Sequence, residues 1–219
     1  MGVVIHQRAN PTVPASVLDE MYHLRFQIFK ERLGWDIDCP GSRDKDQYDL
    51  LDPVYGIALG PSGAVEGCWR LLATTGPYML KDIFAELLSG KPPPGDRHTW
   101  EISRFAVRGL SKGYASLAAL SRETSELLNA LFDFCLETGI RRVVAASDVR
   151  FERILQRSRV IVHRFGPVCM IGATPAVAGW IEISGDHARR VRAARPRPTA
   201  VSALEPSLEP SAAVAGAGA

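Results

Sequence analysis

Charged residues interrupt two of the most apolar segments of the chain. Arg70 lies within the stretch GCWRLL, and Glu101 and Arg104 lie within WEISRFAV. A charge flanked by tryptophan, leucine, isoleucine and phenylalanine is costly to bury unless it is paired, so the fold must bring other charges to these segments. Asp46 and Asp49 lie in a polar stretch with six aspartates between residues 36 and 52. We therefore predict a buried ion cluster in which these aspartates pair with the arginines.

Strand geometry adds a condition to this cluster. Alternate residues of a regular strand share a face, which places Glu101 with Ser103 and Phe105, and Arg104 on the opposite face. If Glu101 and Arg104 line one site, a bulge or a sharp bend must lie near them, as is common next to active sites.

Helical and strand patterns alternate along the chain and predict an α/β fold. The mixed order implies one central sheet with helices on both faces, a three-layer α-β-α sandwich. The predicted helices are 17–35, 79–88, 115–138 and 151–157, and the predicted strands are 54–59, 64–72, 98–107, 140–146, 160–165 and 177–183.

The remaining composition bounds the class of protein. We expect one domain over residues 1–187 and a disordered tail over 188–219, since from Arg195 the chain is mostly proline, alanine, serine and glycine. No secretory signal and no apolar run of about 20 residues is visible, so we expect a cytoplasmic protein without a membrane partner. The four cysteines are scattered and are predicted to be free thiols, with no metal site.

Three further residues extend the charged pattern. Arg25 and Phe29 are four apart on the first predicted helix and share a face, with Trp35 at the end of that helix. Taken alone, they are better explained as a surface arginine beside two core aromatics, since a lone arginine is normally solvated.

In order, these residues resemble the signature of the acyl-homoserine lactone synthases, the autoinducer synthases of bacterial quorum sensing. The resemblance is carried by Arg25-x3-Phe29-x5-Trp35, Asp46-x2-Asp49, Arg70 and Glu101-x2-Arg104, and by the stretches DQYD, PYMLKDIFAELL and GWIEI. It covers about residues 5 to 185. It implies a mixed central sheet similar to that of the GNAT N-acyltransferases.

The resemblance also implies an activity. The family joins an acyl chain, carried by acyl carrier protein or coenzyme A, to the amine of S-adenosylmethionine and closes the product into a lactone. Adenosylmethionine is a consumed substrate, so no cofactor and no metal is expected. The implied catalytic residues are Asp46, Asp49, Arg70, Glu101 and Arg104, and the implied substrate-binding residues are Arg25, Phe29, Trp35, Phe84, Ser103, Phe105 and Ala145.

The chemistry suits these residues. An α-amine has a pKa of about 7.7 to 8.0 and must lose a proton before it attacks a thioester. Glu101, on a buried strand where its pKa would be raised, is our choice of general base. Phe29 and Trp35 are suited to the sulfonium cation through cation–π attraction.

Ala145 bears on the acyl chain. It lies six residues before Phe151. At the position of Ala145, members of the family that prefer 3-oxo chains tend to carry threonine. Alanine cannot hydrogen-bond a 3-oxo group, so we predict an unsubstituted chain of roughly four to eight carbons.

Arg150, Arg153 and Arg157 would form a stripe along one helix face. A solvated face is the simpler interpretation. Because acyl carrier proteins are acidic, and the family docks them on a basic surface in this region, we predict a docking surface.

Two other functions fit the sequence less well. A GNAT-like N-acyltransferase using acyl-CoA usually carries a Q/R-x-x-G-x-G/A loop for the pyrophosphate, and residues 108–114 of this chain, RGLSKGY, do not fit it. A non-enzymatic sensor of the same signals would not need a buried Glu101 and Arg104. No DNA-binding helix pair or strongly basic domain is evident, so no nucleic acid partner is predicted.

Overall fold

The computed structural model describes residues 2–108 and 121–194. Five α-helices and eight β-strands are assigned in these ranges. In chain order they are β1 (Gly2–His6), α1 (Ala15–Phe26), β2 (Val54–Leu59), β3 (Val65–Ala73), α2 (Met79–Asp82), β4 (Thr99–Val107), α3 (Arg122–Glu137), β5 (Arg142–Asp148), α4 (Val149–Arg157), β6 (His163–Arg164), β7 (Cys169–Ile171), β8 (Thr174–Glu182) and α5 (Gly185–Arg192).

The strands form one mixed sheet in the order β1-β2-β3-β4-β5-β8-β6, and β7 also pairs with β8. Among the strand pairs of the described residues, β4 and β5 are parallel and the others are antiparallel. Helices α3 and α5 pack on one face, where Trp69 and Leu71 contribute to the apolar core, and α1 packs on the other with Ile57 and Cys68. The predicted three-layer α-β-α architecture is confirmed.

The predicted elements differ from the structure mainly at their ends. The first helix begins at Ala15, and after Phe26 it widens into a π-helical segment, Gln27–Arg32, in which Leu33 N donates to Ile28 O at 3.0 Å. Such widened turns are often found at functional sites, and this one carries Phe29. The predicted helix 79–88 is divided into α2 and a 3₁₀ turn, Ala85–Leu88.

Other predictions were incomplete. The strand predicted over 160–165 is only the two-residue β6, and β1, β7 and α5 were not predicted. Helix α5 continues past residue 188, where the tail was predicted to begin, and its Ala188 and Val191 are buried in the core. The start of the long helix predicted from residue 115, the stretch 109–114 and the tail from residue 195 lie outside the described residues.

The bulge that the sequence requires is present in β4. Cys68 pairs with Ala106 and Arg70 with Ser103, so β4 holds one residue more than β3 between these two pairs. Arg104 adopts a left-handed backbone conformation there, with φ of 52°. Glu101 and Ser103 share the α1 face of the sheet, and the bulge turns Arg104 towards it as well. Phe105 packs with the opposite cluster around Trp69, so its predicted place beside Glu101 was wrong.

The parallel pair β4 and β5 opens at the level of Glu101. The two strands pair at Thr99–Arg142, Trp100–Val143 and Glu101–Val144, and no pair follows although both strands continue. Glu101 therefore stands where the two strands begin to separate, at a seam in the sheet.

Two class predictions can be compared directly with the structure. The four cysteines are free, as predicted. Within residues 2–108 and 121–194, every helix is too short or too polar to cross a bilayer.

Candidate active site

Three arginines and three aspartates form a closed ion cluster between α1, the loop that follows it and strands β3 and β4. Arg70 Nη1 lies 2.6 Å from Asp46 Oδ1 and 2.9 Å from Asp49 Oδ1. Arg104 Nη2 lies 3.0 Å from Asp46 Oδ2. The predicted pairing of Arg70 and Arg104 with the loop aspartates is thus present, and the side chain of Asp46 alone among these four is partly exposed, at 19%.

Arg25 belongs to this cluster rather than to an open pocket wall. Its guanidinium binds Asp49 with two hydrogen bonds, of 2.9 and 3.0 Å, and the residue is fully buried. Burial lowers the pKa of Arg25, but the charge and hydrogen bonds of Asp49 outweigh that effect and raise it overall. Reciprocally, burial raises the pKa of Asp49, while Arg25 and Arg70 hold it well below its usual range. Both groups are therefore fixed as ions.

The third aspartate of the cluster, Asp44, was not predicted. Asp44 is buried, and its carboxylate lies 3.2 Å from Arg25 Nε and 2.8 Å from Arg104 Nε. The signal was charge balance: once Arg25 is placed in the cluster, three buried arginines need three carboxylates.

Two tyrosines were also missed. Tyr55 donates to Asp49 Oδ1 at 2.7 Å, and the hydroxyls of Tyr55 and Tyr22 lie 3.2 Å apart. Burial and the charge of Asp49 raise the pKa of Tyr55 far above its ordinary value. Tyr55 thus stays a neutral donor that holds Asp49 in place.

Glu101 is buried beside this cluster, and its recorded hydrogen bonds are to the backbone rather than to an arginine. Its two oxygens accept from the backbone N–H groups of Met79, at 2.9 Å, and Leu80, at 2.6 Å, at the start of α2. Burial raises the pKa of Glu101 to about 7, although these two donors and Arg70 favour the charged form. A carboxylate with this pKa can accept a proton near neutral pH.

The aromatic pair forms a wall beside the cluster. The rings of Phe29 and Trp35 stack with centroids 4.8 Å apart, and Arg104 Cζ lies 5.3 Å from the centroid of Phe29. Phe29 is buried, whereas Trp35 is half-buried. An aromatic wall beside carboxylates is suited to a ligand that carries a positive charge.

The other predicted substrate residues are divided between the two faces of the sheet. Ser103 Oγ accepts from Arg70 Nε at 3.1 Å, and Phe84 packs at the edge of the cluster that contains Tyr48 and Leu80. Ala145 and Phe105 lie on the opposite face, against the core that also receives Phe151. The rings of Phe105 and Phe151 lie 5.0 Å apart. Phe84 and Ser103 thus share the face of Glu101, and Phe105 and Ala145 do not.

The three predicted docking arginines lie on α4, away from the ion cluster. Arg150 and Arg153 are exposed, as is Arg157, and the side chain of Arg150 lies 3.0 Å from Asp148. Asp148 also caps the helix by accepting from Arg150 N at 2.7 Å. Arg164, just beyond α4, is paired with Glu152.

Comparison with known proteins decides the family. The sequence pattern of the family described as autoinducer synthase matches residues 12–191 of this chain. An acyl-homoserine-lactone synthase of Pseudomonas aeruginosa is 42% identical over 170 residues, which cover 77% of this chain and 83% of that protein. The chain belongs to the autoinducer synthase family. This assignment makes it an enzyme of the transferase class.

Solved structures extend the comparison with the autoinducer synthases. A CoA-dependent acyl-homoserine lactone synthase, BjaI, with SAM and isopentyl-CoA, matches with a TM-score of 0.73 at 28% identity. The match covers 87% of this chain and 88% of that one. A protein of Lactobacillus plantarum described as an N-acetyltransferase matches with a TM-score of 0.54 at 15% identity, which concerns the fold alone. The expected GNAT-like sheet is thus confirmed.

Proposed function

We propose that this chain synthesises an N-acyl-L-homoserine lactone signal from S-adenosylmethionine and an acyl thioester. One observation carries the proposal: Glu101, buried and with its pKa raised to about 7, stands beside the charged cluster at the seam between β4 and β5. The structure of BjaI with SAM and isopentyl-CoA supports the same pair of substrate classes.

In the first step, Glu101 takes a proton from the amine of adenosylmethionine, directly or through water. The neutral amine then attacks the thioester carbonyl, the C–N bond forms, the C–S bond breaks and the thiol leaves. A base with a pKa of about 7 is well matched to an amine whose own pKa is about 7.7 to 8.0. The stacked rings of Phe29 and Trp35 lie beside the cluster, where they can hold the sulfonium.

In the second step, the carboxylate of the same methionine unit attacks its γ-carbon. The lactone C–O bond forms, the bond from carbon to the sulfonium sulfur breaks, and methylthioadenosine is released. The sulfonium is already a good leaving group, so the proposal needs neither a metal nor a cofactor. The charged cluster and the aromatic wall would then act by holding the substrate in the reactive orientation.

We further propose acyl carrier protein as the donor, with coenzyme A as the alternative. The support is the exposed basic helix α4, because an acidic carrier would be steered to Arg150, Arg153 and Arg157. Ala145 and the paired rings of Phe105 and Phe151 are apolar and would suit an unsubstituted acyl chain that passes through the seam. We expect the reaction to take place in the cytoplasm.

The direct test is mass spectrometry of lactones extracted from a bacterium that has no such signal and expresses this chain. The expected result is an unsubstituted N-acyl-homoserine lactone, absent from cells that express Glu101→Gln at the same level. Extracts without any lactone from cells that hold folded protein would contradict the proposed function. Extracts dominated by 3-oxo lactones would contradict only the proposal for Ala145.

A further inference from the structure

Among the described residues, Met79 has recorded hydrogen bonds to both strand arginines of the ion cluster, Arg70 and Arg104, and to Glu101. Its thioether sulfur lies 3.1 Å from Arg70 Nη2 and 3.8 Å from Arg104 Nη1. Its backbone N–H donates to Glu101 Oε2 at 2.9 Å. Met79 itself is buried, at the first turn of α2.

The two nitrogens that face this sulfur differ from the rest of the cluster. Every other nitrogen of the three guanidinium groups lies within 4.0 Å of an aspartate oxygen or donates to Ser103 Oγ. Arg70 Nη2 and Arg104 Nη1 have the Met79 sulfur as their recorded partner among the described residues. A thioether is a weak acceptor, so these two buried donors are poorly satisfied.

These donors also converge. They belong to different strands, yet both point at one sulfur atom, and two guanidinium groups that meet at a point form a site for a carboxylate. Burial lowers the pKa of Arg104 and outweighs the charges of Asp44 and Asp46, which raise it. A further negative group beside Arg104 would therefore stabilise its charge.

We propose that the Met79 thioether stands in for the substrate carboxylate in the free enzyme, and that this carboxylate displaces it and binds Arg70 Nη2 and Arg104 Nη1. This inference rests on the proposed function and deepens it, because it places the amino-acid end of adenosylmethionine. The amine of an α-amino acid is attached to the carbon that carries the carboxylate. A carboxylate near the Met79 sulfur therefore brings the amine towards Glu101, which the backbone of the same residue holds.

Met79 is then a positioning residue with two tasks. Its backbone fixes the base through the Glu101 hydrogen bond, and its side chain keeps two arginines in place until substrate arrives. A substitution that keeps the backbone and removes only the sulfur separates these tasks. Met79→Leu is of similar volume and does this.

The test compares two ligands on purified full-length protein by titration calorimetry. Adenosylmethionine carries the carboxylate, whereas methylthioadenosine has the same nucleoside and no amino acid. In Met79→Leu the substrate carboxylate no longer competes with the sulfur for the two arginines. This variant should therefore bind adenosylmethionine about three- to tenfold more tightly than the parent, and methylthioadenosine with unchanged affinity.

A second variant should move in the opposite direction. Met79→Gln offers an amide oxygen, a stronger acceptor than sulfur, so adenosylmethionine should bind about three- to tenfold more weakly, again without change for methylthioadenosine. Met21→Leu is the matched control, because Met21 is a buried methionine of α1 that packs in the apolar cluster with Ile57 and Cys68. It should leave both affinities unchanged.

Two results would overturn the inference. One is weaker or equal binding of adenosylmethionine in both Met79 variants, which would mean that Met79 only shapes the pocket. The other is an equal shift for both ligands. A parent protein that binds neither ligand would instead contradict the proposed function, and this inference with it.

Discussion

Two sets of arginines in this protein have opposite surroundings. Arg25, Arg70 and Arg104 are buried and held by three aspartates, whereas the arginines of α4 are exposed to solvent. A buried charge is costly unless every partner is present, so the first set fixes a single geometry. An exposed charge contributes little to stability but attracts an acidic partner over distance. The difference teaches that the same side chain serves as part of a rigid site in one region and as an adaptable surface in the other.

The largest expected effect concerns a single carboxylate in the buried region. Glu101→Gln keeps the size of the side chain and one of its two backbone hydrogen bonds, because an amide has a single oxygen, and it removes the base. Turnover should fall by about 10²- to 10⁴-fold in a coupled assay of methylthioadenosine release, while a cooperative melting transition shows that the variant is folded. Near-normal turnover would remove Glu101 from the role of base.

The next effect tests the two sets of arginines directly. Arg104→Ala should lower the free energy of unfolding by about 3 to 5 kcal/mol, because it leaves Asp44 and Asp46 short of a counter-charge. Arg153→Ala on α4 is the matched control and should change it by less than about 0.5 kcal/mol. Both values come from denaturant unfolding at neutral pH. An equal change in the free energy of unfolding for the two variants would show that the two sets of arginines do not differ in their contribution to stability.

A smaller effect belongs to the exposed region. Arg150→Glu combined with Arg153→Glu should raise the KM for acyl carrier protein and leave the KM for adenosylmethionine alone. The increase should shrink as salt is added, because the screening length is only about 8 Å at physiological ionic strength. An equal loss for both substrates would indicate misfolding and would leave α4 without a docking role.

The smallest effect concerns an uncharged position in β5. Ala145→Thr adds a hydroxyl to the apolar side of the seam, where it could hydrogen-bond a 3-oxo group, a gain of about tenfold at most in relative preference. The measurement is the ratio of 3-oxo to unsubstituted lactone formed when both thioesters compete. An unchanged ratio would show that residue 145 does not recognise the 3-oxo group.

Sequence patterns predicted the central sheet and most of the charged cluster. Arg70, Glu101 and Arg104 were recognisable because a charge in an apolar strand needs a partner, and the bulge at Arg104 followed from strand alternation. The short strands β1 and β7 and the helix α5 were missed, since a few apolar residues carry too little periodicity.

The parts of the site that were missed depend on tertiary contact. Asp44 looks like any loop aspartate until the loop folds over Arg25 and Arg104. Met79 looks like an ordinary helix residue, and nothing in its neighbours reveals a sulfur placed between two arginines. Phe105 was placed on the wrong face because strand alternation was carried through a bulge that reverses it.

The central claim is that Glu101 is a base tuned by burial, and the pH dependence of kcat tests it most directly. The pKa of Glu101 is raised from 4.5 to about 7, so the carboxylate becomes the main form only above that pH. With saturating substrates, kcat of the parent should therefore rise as pH increases through about 7, and Glu101→Gln should lack this rise. A rise near pH 4.5 in the parent, or the same rise near pH 7 in Glu101→Gln, would contradict the account.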